Sequence, residues 1–312
     1  MRGITVPTVQ AGHAIGVDLG GTKILAGVVA RDGTVVRRHE RATPQDSQEH
    51  VLAELEAAVA ELLDDSVVAI GFGAPSPIDR ARGIVVRCVN LPLENAPLGE
   101  RMRERFGVPV GLDNDANAAG VGEWRAGAGR DVDDLVMLTL GTGVGGGVVS
   151  GGKPFRGRNG AGAELGHVVI VHGGRPCQGA CTGHGHLEAY VSGSAVTVAA
   201  QEVFGPSADA HRLVRLANEG DPKAKDLLAE IGRYLGSGIG SFVNVFAPEL
   251  VVVGGGFGVA AYDHLRQTAE EVMLGEALEP MRSIVRLAKA KLGTAAGLIG
   301  AAFVGFEALD AS

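Results

Sequence analysis

Residues 14–29 read AIGVDLGGTKILAGVV, two apolar runs separated by the Gly20–Gly21 pair. Apolar runs that flank a short glycine turn are typical of a β-hairpin. Residues 135–149, LVMLTLGTGVGGGVV, repeat the same order of apolar run, glycine turn and apolar run. We interpret the two stretches as an internal duplication of one pattern.

Between and after these hairpins, short apolar strands alternate with amphipathic helices, which is the pattern of α/β domains. Strands are predicted near 67–73, 108–113, 167–171 and 250–256. Helices are predicted near 49–63, 97–106, 116–126, 187–204, 208–219, 222–246, from about 259, and over 294–309. We therefore expect two α/β domains facing a ligand cleft. Residues 1–118 would form the smaller domain and 119–293 the larger one, with the C-terminal helix, about 294–312, packing back on the first.

Composition limits the class of protein. The 312 residues are 46% apolar, which is enough for two cores. A net charge of −8 and the lack of a Lys/Arg-rich run argue against nucleic-acid and anionic-membrane partners. Three cysteines are too few for a disulfide framework. Residues 1–16 lack the apolar core of a signal peptide, and no run of about 18 apolar residues occurs, so we expect a cytoplasmic protein.

The two predicted hairpin turns are candidate phosphate-binding sites. Each offers backbone N–H groups and a threonine hydroxyl, at Thr22 or Thr142. Asp18 ends the first strand, where its carboxylate could hold a hydrated Mg²⁺; the alternative is a plain hairpin with a surface aspartate. The residues assigned to ATP and Mg²⁺ in these turns are Asp18, Gly20, Gly21, Thr22, Lys23, Gly141, Thr142 and Gly143.

Asp113 and Asp115 follow a predicted strand and precede a predicted helix. The carboxyl ends of strands are where α/β proteins place their ligands, and a carboxylate there can accept a proton from an attacking hydroxyl. A structural alternative is that either residue caps the helix. We favour the structural role for Asp113 and the chemical role for Asp115.

Six motifs occur in the order and spacing of a known family. They are DLGGTK at 18–23, NDANAA at 114–119, LGTGVGGG at 140–147, E-x-G-H at 164–167, a cysteine-rich loop ending in Leu187–Glu188, and N-x-x-x-P-E-x-V-V-V-G-G at 244–255. With them the chain closely resembles the ROK family of sugar kinases, and within it the bacterial ATP-dependent glucokinases. The resemblance implies the actin-like ATPase (ribonuclease H-like) fold, with sugar bound between two domains and ATP on the larger one.

The resemblance also implies roles for individual residues. Asp115 would be the catalytic base, and the sugar hydroxyls would be held by Asn114, Glu164, His167 and Glu188, with Asn90 as a further contact. Gly254, Gly255 and Gly256 would lie near the adenosine. A sugar offers hydroxyls, so a site that pairs each one with a fixed donor or acceptor rejects analogues whose hydroxyls are missing or inverted.

The cysteine-rich loop departs from the family pattern, because His186 stands where relatives usually have a third cysteine. The remaining set, His167, Cys177, Cys181 and His186, predicts a tetrahedral structural Zn²⁺ site. His184 is an alternative fourth ligand. The alternative to a metal site is that Cys177 and Cys181 are thiols that bind no metal. His167 can serve metal and sugar together, one ring nitrogen for each. Cys88 is expected in the core.

The sequence therefore predicts an enzyme that transfers the γ-phosphoryl group of ATP to a hexose, with glucose as the first candidate. Kinases for N-acetylglucosamine, N-acetylmannosamine, mannose or fructose would share the same residues. Polyphosphate is a further possible donor, and a homo-oligomer, dimer or tetramer, is expected from the family. A sugar-responsive repressor of the family would carry a helix-turn-helix domain before the first strand, where about a dozen residues stand here. A silent scaffold conflicts with the intact NDAN motif.

Overall fold

The structure, a computed structural model, describes residues 12–158 and 160–312. Most of the N-terminal stretch considered for a signal peptide, and Asn159, lie outside these residues. The described chain divides into two compact units, one holding the residues up to Asp115 together with Ala301–Ser312, the other holding Ala116–Gly300. The domain limits predicted from the sequence remain a prediction, since this division reflects contacts and not independent folding.

The first unit is built on one five-stranded sheet and one small sheet. Its strands are β1 (His13–Leu19), β2 (Lys23–Val29), β3 (Val35–Ala42), β4 (Val67–Ala74), β5 (Ile78–Asp79), β6 (Ile84–Arg87), β7 (Glu94–Ala96) and β8 (Val110–Asn114). Its helices are α1 (Gln48–Leu62) and α2 (Leu98–Phe106). The large sheet has the order β3-β2-β1-β4-β8, and the small sheet has the order β5-β6-β7.

The second unit is built on a second five-stranded sheet. Its strands are β9 (Leu135–Leu140), β10 (Val144–Ser150), β11 (Lys153–Phe155), β12 (Leu250–Gly254) and β13 (Arg286–Lys289), in the order β11-β10-β9-β12-β13. The helices are α3 (Asp115–Ala126), α4 (Glu188–Val191), α5 (Gly193–Phe204), α6 (Ala210–Asn218), α7 (Pro222–Phe246), α8 (Gly256–Glu276) and α9 (Ala296–Asp310). Helix α3 begins at the last residue of the first unit, and α9 runs from the second unit into the first.

The two large sheets have the same topology. In each, the first three strands form an antiparallel meander, β1 with β2 and β3 or β9 with β10 and β11. The first strand of each meander then pairs in parallel with one later strand, β1 with β4 or β9 with β12. That strand pairs in parallel with the last one, β4 with β8 or β12 with β13. Both predicted hairpins and the predicted α/β class are confirmed, and the duplicated pattern extends to the whole strand order.

Four helices begin at a residue whose side chain accepts a hydrogen bond from the backbone of the first turn. Such caps each stabilise a helix by about 1 kcal/mol. The capping residues are Ser47 for α1, Ser192 for α5, Asp209 for α6 and Asp221 for α7. Helix α1 then packs Val51, Leu55 and Val59 into the core of the first unit, as its apolar periodicity predicts.

Helix α9 is a core helix. Among the described residues, the window Gly293–Asp310 is long and apolar enough to cross a membrane, but 56% of it is buried inside the protein. Its backbone packs closely on β4, because a Cβ atom on Gly71 would lie 1.8 Å from the Ala301 carbonyl oxygen. Such an approach requires glycine at position 71.

The strand predicted at 167–171 is wrong. Leu165–His167 forms a 3-10 turn, and Val169 makes a single β-bridge with His186. Val169 and Val171 are 52% and 37% exposed. The apolar run therefore faces solvent in part, and within the described part of the chain it has no neighbouring strand with which to form a sheet.

Two predicted helix ends are also wrong. The helix predicted over 187–204 is divided at Ser192, whose extended backbone ends α4 and whose hydroxyl caps α5. Helix α8 begins at Gly256 and not near residue 259. The first turn of α8 was missed because it is rich in glycine, a weak helix former. Gly255 precedes this turn with a φ of 78°, and a Cβ there would meet the Leu140 backbone at 2.5 Å.

Candidate functional site

Four side chains of the cysteine-rich loop converge on one point in the second unit. They are the predicted ligands His167, Cys177, Cys181 and His186, whose ligand atoms all lie within 4.8 Å of one another. The two Nδ1 atoms of the histidines are 3.3 Å apart. Cys177 Sγ is 3.7 Å from His167 Nδ1, and Cys181 Sγ is 3.5 Å from His186 Nδ1.

These distances fit a tetrahedral zinc ion. Zinc binds imidazole nitrogen at about 2.0–2.1 Å and thiolate sulfur at about 2.3 Å, so the edges of its tetrahedron measure roughly 3.3–3.8 Å. The measured separations fall in that range. Two cysteines and two histidines are a ligand set of structural zinc sites. The cluster is therefore consistent with a structural zinc.

His184, the alternative fourth ligand, lies outside the cluster. It is exposed, and its backbone forms a bridge with Pro176. Gly183 leaves room for the His186 ring, because a Cβ there would lie 2.3 Å from the imidazole Cε1. The structure thus supports His186 as the fourth ligand.

The Cys177 thiol resists ionisation in the absence of a cation. Burial, and then the neighbouring Cys181 and Glu188, raise the pKa of Cys177 to about 11. Zinc binds the thiolate, so metal binding at neutral pH has to release this proton.

Glu188 lies directly against the metal cluster. Its Oε2 accepts a hydrogen bond from the Val144 N–H at 2.7 Å, and its Oε1 is 3.7 Å from Cys177 Sγ. A Cβ on Gly143 would approach Glu188 Oε2 to 2.4 Å, so a side chain there would displace the carboxylate. Glu188 thus lies between residues 172–186, the metal loop, and the turn after β9, and it is not a solvated surface charge.

Glu164 and His167 share one turn beside the cluster. The His167 N–H donates to the Glu164 carbonyl oxygen at 3.1 Å. His167 turns Nδ1 toward the other metal ligands, which leaves Nε2 for a second partner, as the dual role predicted for this residue requires. His167 and Glu188 thus both contact the cluster, and Glu164 is joined to His167 through its backbone carbonyl.

The turn between β9 and β10 borders a cavity of about 430 Å³ within the second unit. Of the residues assigned to ATP, Gly141, Thr142 and Gly256 line this cavity. Its volume falls in the range of about 300–1,000 Å³ that is usual for small-molecule sites. Gly254 and Gly255 do not line this cavity; Gly254 is the last residue of β12, and Gly255 immediately precedes α8.

The first residues of helix α5 donate hydrogen bonds to the turn between β9 and β10. The Gly193 N–H donates to the Gly141 carbonyl oxygen at 2.7 Å, and the Ser194 hydroxyl donates to the Thr142 carbonyl oxygen at 2.9 Å. A Cβ on Gly141 would meet nothing within 4 Å. The glycine is therefore not required by packing within the chain, and it leaves open space beside the turn for a ligand.

The turn between β1 and β2 is similar in the first unit. The Gly20 N–H donates to the Lys23 carbonyl oxygen at 2.9 Å, and a Cβ on Gly21 would meet nothing within 4 Å. Thr22 follows in the same turn, and its backbone carbonyl oxygen accepts from the Thr43 N–H at 3.0 Å. The Lys23 ammonium group forms an ion pair with exposed Glu40 at 2.9 Å.

Asp18 lies near the end of β1, with its carboxyl group partly buried. Burial, and then the charge of Asp115, raise the pKa of Asp18 to about 7, and Lys23 lowers it in part. Two carboxylates in one region disfavour each other's charge, and a bound cation relieves that repulsion. The pair therefore fits the Mg²⁺ site that the sequence predicts at Asp18.

Asp113 and Asp115 have different surroundings. Asp113 is buried at the end of β8 and forms an ion pair with Arg80 at 2.8 Å. Its Oδ1 also accepts from the Asn114 N–H at 3.0 Å. The structural role expected for Asp113 thus takes the form of an ion pair. Asp115 is the first residue of α3 and is half-buried.

Asn90 lies on an exposed loop after β6. The neighbouring Cys88 is 5% exposed and packs in the core of the first unit, as predicted. Ser76 holds the start of this loop, because its hydroxyl oxygen accepts from the Arg87 N–H at 3.0 Å.

Sequence reasoning missed the residues that α5 and α6 bring to the cavity. Ser194, Thr197 and His211 line it beside the glycine turn. The signal was present in the Ser192–Gly193–Ser194 triplet, which is typical of a helix start, but the apolar positions around it favoured one continuous helix.

Comparison with known proteins extends over nearly the whole chain. A family model described as the ROK family matches residues 14–306. Glucokinase from Streptomyces coelicolor is 35% identical over 311 residues, covering 93% of this chain and 96% of that protein. N-acetylmannosamine kinase from Escherichia fergusonii is 33% identical over 293 residues, covering 93% of this chain and 97% of that protein.

Among solved structures, the crystal structure of a ROK family glucokinase from Streptomyces griseus in complex with glucose and AMPPNP superposes with a TM-score of 0.80. It is 35% identical and covers 95% of this chain and 100% of that chain. The two mixed sheets of the present chain thus have the actin-like ATPase fold, as the sequence predicts.

Proposed function

Because the chain belongs to the ROK family of sugar kinases, we propose that it is an ATP-dependent glucokinase that converts glucose to glucose 6-phosphate. The position of Glu188 against the cluster that contains His167, with Glu164 in the same turn as His167, supports this proposal most directly. Carboxylates and an imidazole nitrogen are the partners that sugar hydroxyls need. Similarity to glucokinases over 93% of the chain supports glucose as the acceptor.

In the proposed reaction, Asp115 accepts the proton of the sugar 6-hydroxyl as that oxygen attacks the γ-phosphorus of ATP. Asn114, Asn90 and the three loop residues hold the remaining hydroxyls. The turns at Gly20–Lys23 and Gly141–Gly143 present N–H groups to the phosphates, and the open space beside Gly21 and Gly141 supports this role. Bound Mg²⁺, held through Asp18, would neutralise charge on the transferring group.

The proposal is tested by measuring ADP release with a panel of glucose, mannose, fructose, N-acetylglucosamine and N-acetylmannosamine. We expect the highest kcat/KM for glucose, with ATP preferred over polyphosphate. A higher kcat/KM on any other sugar would overturn glucose as the substrate. The variant Asp115→Asn should lose about 10²–10⁴-fold in kcat while it still binds AMPPNP.

N-acetylmannosamine is the second candidate substrate. The observation that favours it is the 33% identity to N-acetylmannosamine kinase over 93% of this chain. An N-acetyl group at carbon 2 needs space that the glucose hydroxyl does not. The same sugar panel therefore decides between the two, since a site shaped for glucose should exclude the larger substituent.

We also expect a cytoplasmic enzyme that self-associates. Cys88, Cys177 and Cys181 are free thiols, which fits a reducing compartment. Light scattering on the purified protein tests the expected dimer or tetramer, and a mass of one chain would contradict it.

A further inference from the structure

Gln178 lies in the metal loop between two ligands, Cys177 and Cys181, and is not itself a ligand. Its side-chain amide donates to the Glu188 carbonyl oxygen at 3.2 Å and to the Ser192 hydroxyl oxygen. Its own carbonyl oxygen accepts from the Cys181 N–H at 3.2 Å. Gln178 is thus attached to the metal loop on one side and to both ends of α4 on the other.

Ser192 transmits this attachment to α5. Its side chain is fully buried, and its hydroxyl oxygen also accepts from the Ala195 N–H at 3.1 Å as the cap of that helix. A hydroxyl oxygen has two acceptor positions, and Gln178 and Ala195 occupy both.

The first turn of α5 in turn holds the glycine turn that lines the 430 Å³ cavity. The Gly193 N–H donates to the Gly141 carbonyl oxygen, and the Ser194 N–H and hydroxyl both donate to the Thr142 carbonyl oxygen. The packing is tight, because a Cβ on Gly193 would lie 2.8 Å from the Gly141 oxygen. A shift of the helix start therefore displaces the turn.

We propose that Gln178 is a positioning residue for the nucleotide, which links the metal loop to the Gly141–Gly143 turn through Ser192 and the start of α5. This inference rests on the proposed function, because it assigns that turn to the phosphates of ATP. Every residue in the chain of hydrogen bonds belongs to the second unit. The metal loop, placed by the sequence beside the sugar residues, thereby also determines nucleotide affinity.

The sugar side of the site depends less on Gln178. The Glu188 carboxylate accepts from the Val144 N–H, a hydrogen bond in which Gln178 takes no part. The Gln178 side chain is also not one of the four predicted metal ligands. Loss of Gln178 should therefore separate nucleotide binding from sugar binding and from metal content, whereas a purely structural residue would affect all three together.

The test compares Gln178→Ala with Thr182→Ala, an exposed position in the same loop. AMPPNP binding with Mg²⁺ is measured by calorimetry, zinc by elemental analysis, and KM for ATP and for glucose by ADP release. We expect Gln178→Ala to bind AMPPNP about 5–20-fold more weakly, with zinc at about one per chain and less than a threefold change in KM for glucose. Thr182→Ala should match the wild type.

A double-mutant cycle with Ser192→Ala tests the route. If Gln178 acts through Ser192, the double variant binds AMPPNP no more weakly than Ser192→Ala alone. AMPPNP binding by Gln178→Ala within twofold of wild type, additive losses in the cycle, or loss of zinc from Gln178→Ala would each overturn the inference. A wild-type protein that does not bind AMPPNP would instead overturn the proposed function, and the inference with it.

Discussion

At the scale of single residues, the proton on Asp18 couples stability to pH. Its pKa is raised by burial and by Asp115 from the ordinary value of 3.8 to about 7. Between these two values the folded protein holds a proton that the unfolded chain has lost. The contribution of Asp18 to the free energy of unfolding therefore falls as pH rises from about 4 to 7, and at pH 8 the ionised carboxylate destabilises the fold.

Replacing this carboxylate by an amide should remove that penalty. We expect Asp18→Asn to raise the free energy of unfolding on the order of 1 kcal/mol at pH 8, with little difference near pH 4. Urea unfolding at both pH values measures it, and exposed Asp65→Asn is the control. A gain of equal size at both pH values would contradict the assignment.

The same residue predicts a pH dependence of nucleotide binding. Protonated Asp18 cannot hold a hydrated Mg²⁺, so affinity for AMPPNP with Mg²⁺ should fall as pH is lowered from 8 to 6. In Asp18→Asn the affinity should be low throughout, and only the smaller pH dependence of the nucleotide phosphate itself should remain. Calorimetric titrations at several pH values check this. A wild-type affinity that does not change between pH 6 and pH 8 would contradict it.

Glu123 is a buried carboxylate with a structural role. It is 0% exposed in α3, and it accepts from the N–H groups of Ala128, Lys291 and Leu292 at 2.8, 3.1 and 2.7 Å. It thereby ties the end of α3 to the segment before α9.

An amide at position 123 would turn a donor toward one of these N–H groups. We expect Glu123→Gln to lower the free energy of unfolding by about 2–3 kcal/mol, because a buried donor loses its charged acceptor. Exposed Glu104→Gln should change it by less than about 0.5 kcal/mol. Chemical denaturation measures both, and equal effects of the two variants would refute the structural role of Glu123.

At the scale of elements, the metal loop has little regular secondary structure of its own. Residues 172–186 contain no helix or strand longer than an isolated bridge among the described residues. We therefore expect metal binding to supply most of the free energy that orders this loop.

Removal of the metal should therefore unfold the loop locally. We expect Cys181→Ser, or a chelator, to reduce zinc from about one per chain to near zero and to open the loop to proteinase K. Rebinding of zinc should release protons, since the pKa of Cys177 is about 11 without the ion. The core variant Cys88→Ala should keep its zinc; a resistant loop in zinc-free protein would contradict the prediction.

What could be predicted from the sequence was mostly local. The hairpin turns and helices such as α1 and α7 follow from glycines, caps and apolar periodicity within a few residues. The four metal ligands were also accessible, because His167 and His186 lie only 19 residues apart. Strand β3 was missed, since its burial alternates weakly and its charged side chains suit an exposed edge strand.

Other features depend on partners far along the chain. Strand β13 is defined by its parallel pairing with β12, and its four residues carry no pattern of their own. The contribution of His211 to the cavity follows from where α6 packs. Such features need tertiary contacts, which periodicity does not encode.

At the scale of the molecule, the two units repeat one strand order and share one helix. Residues of α9 before Ala301 belong to the second unit, and those from Ala301 onward belong to the first. In the second unit a Cβ on Gly300 would lie 1.6 Å from the Ala118 carbonyl oxygen, and in the first α9 packs on β4 and β8 at Gly71 and Gly111.

Deletion of α9 should therefore damage both units. The helix buries Leu298, Ile299, Val304 and Phe306. At about 1.5–3 kcal/mol for each of these four side chains, its loss removes roughly 6–12 kcal/mol, which is comparable to the whole stability of a domain. We expect a chain ending at Leu292 to lose cooperative thermal unfolding by circular dichroism.

A chain ending at Asp310 is the control and should unfold like the full sequence. Retention of one sharp unfolding transition after deletion of α9 would contradict the shared role of the helix.

Helix α9 follows in the sequence all the strands on which it packs, so it is synthesised after them. Until α9 has left the ribosome, the glycine positions of β4 and β8 on which it packs remain exposed. Nascent chains held in that unfinished state are prone to aggregate. The yield of this protein in a host cell should therefore respond more to the supply of chaperones than to the stability of the finished fold.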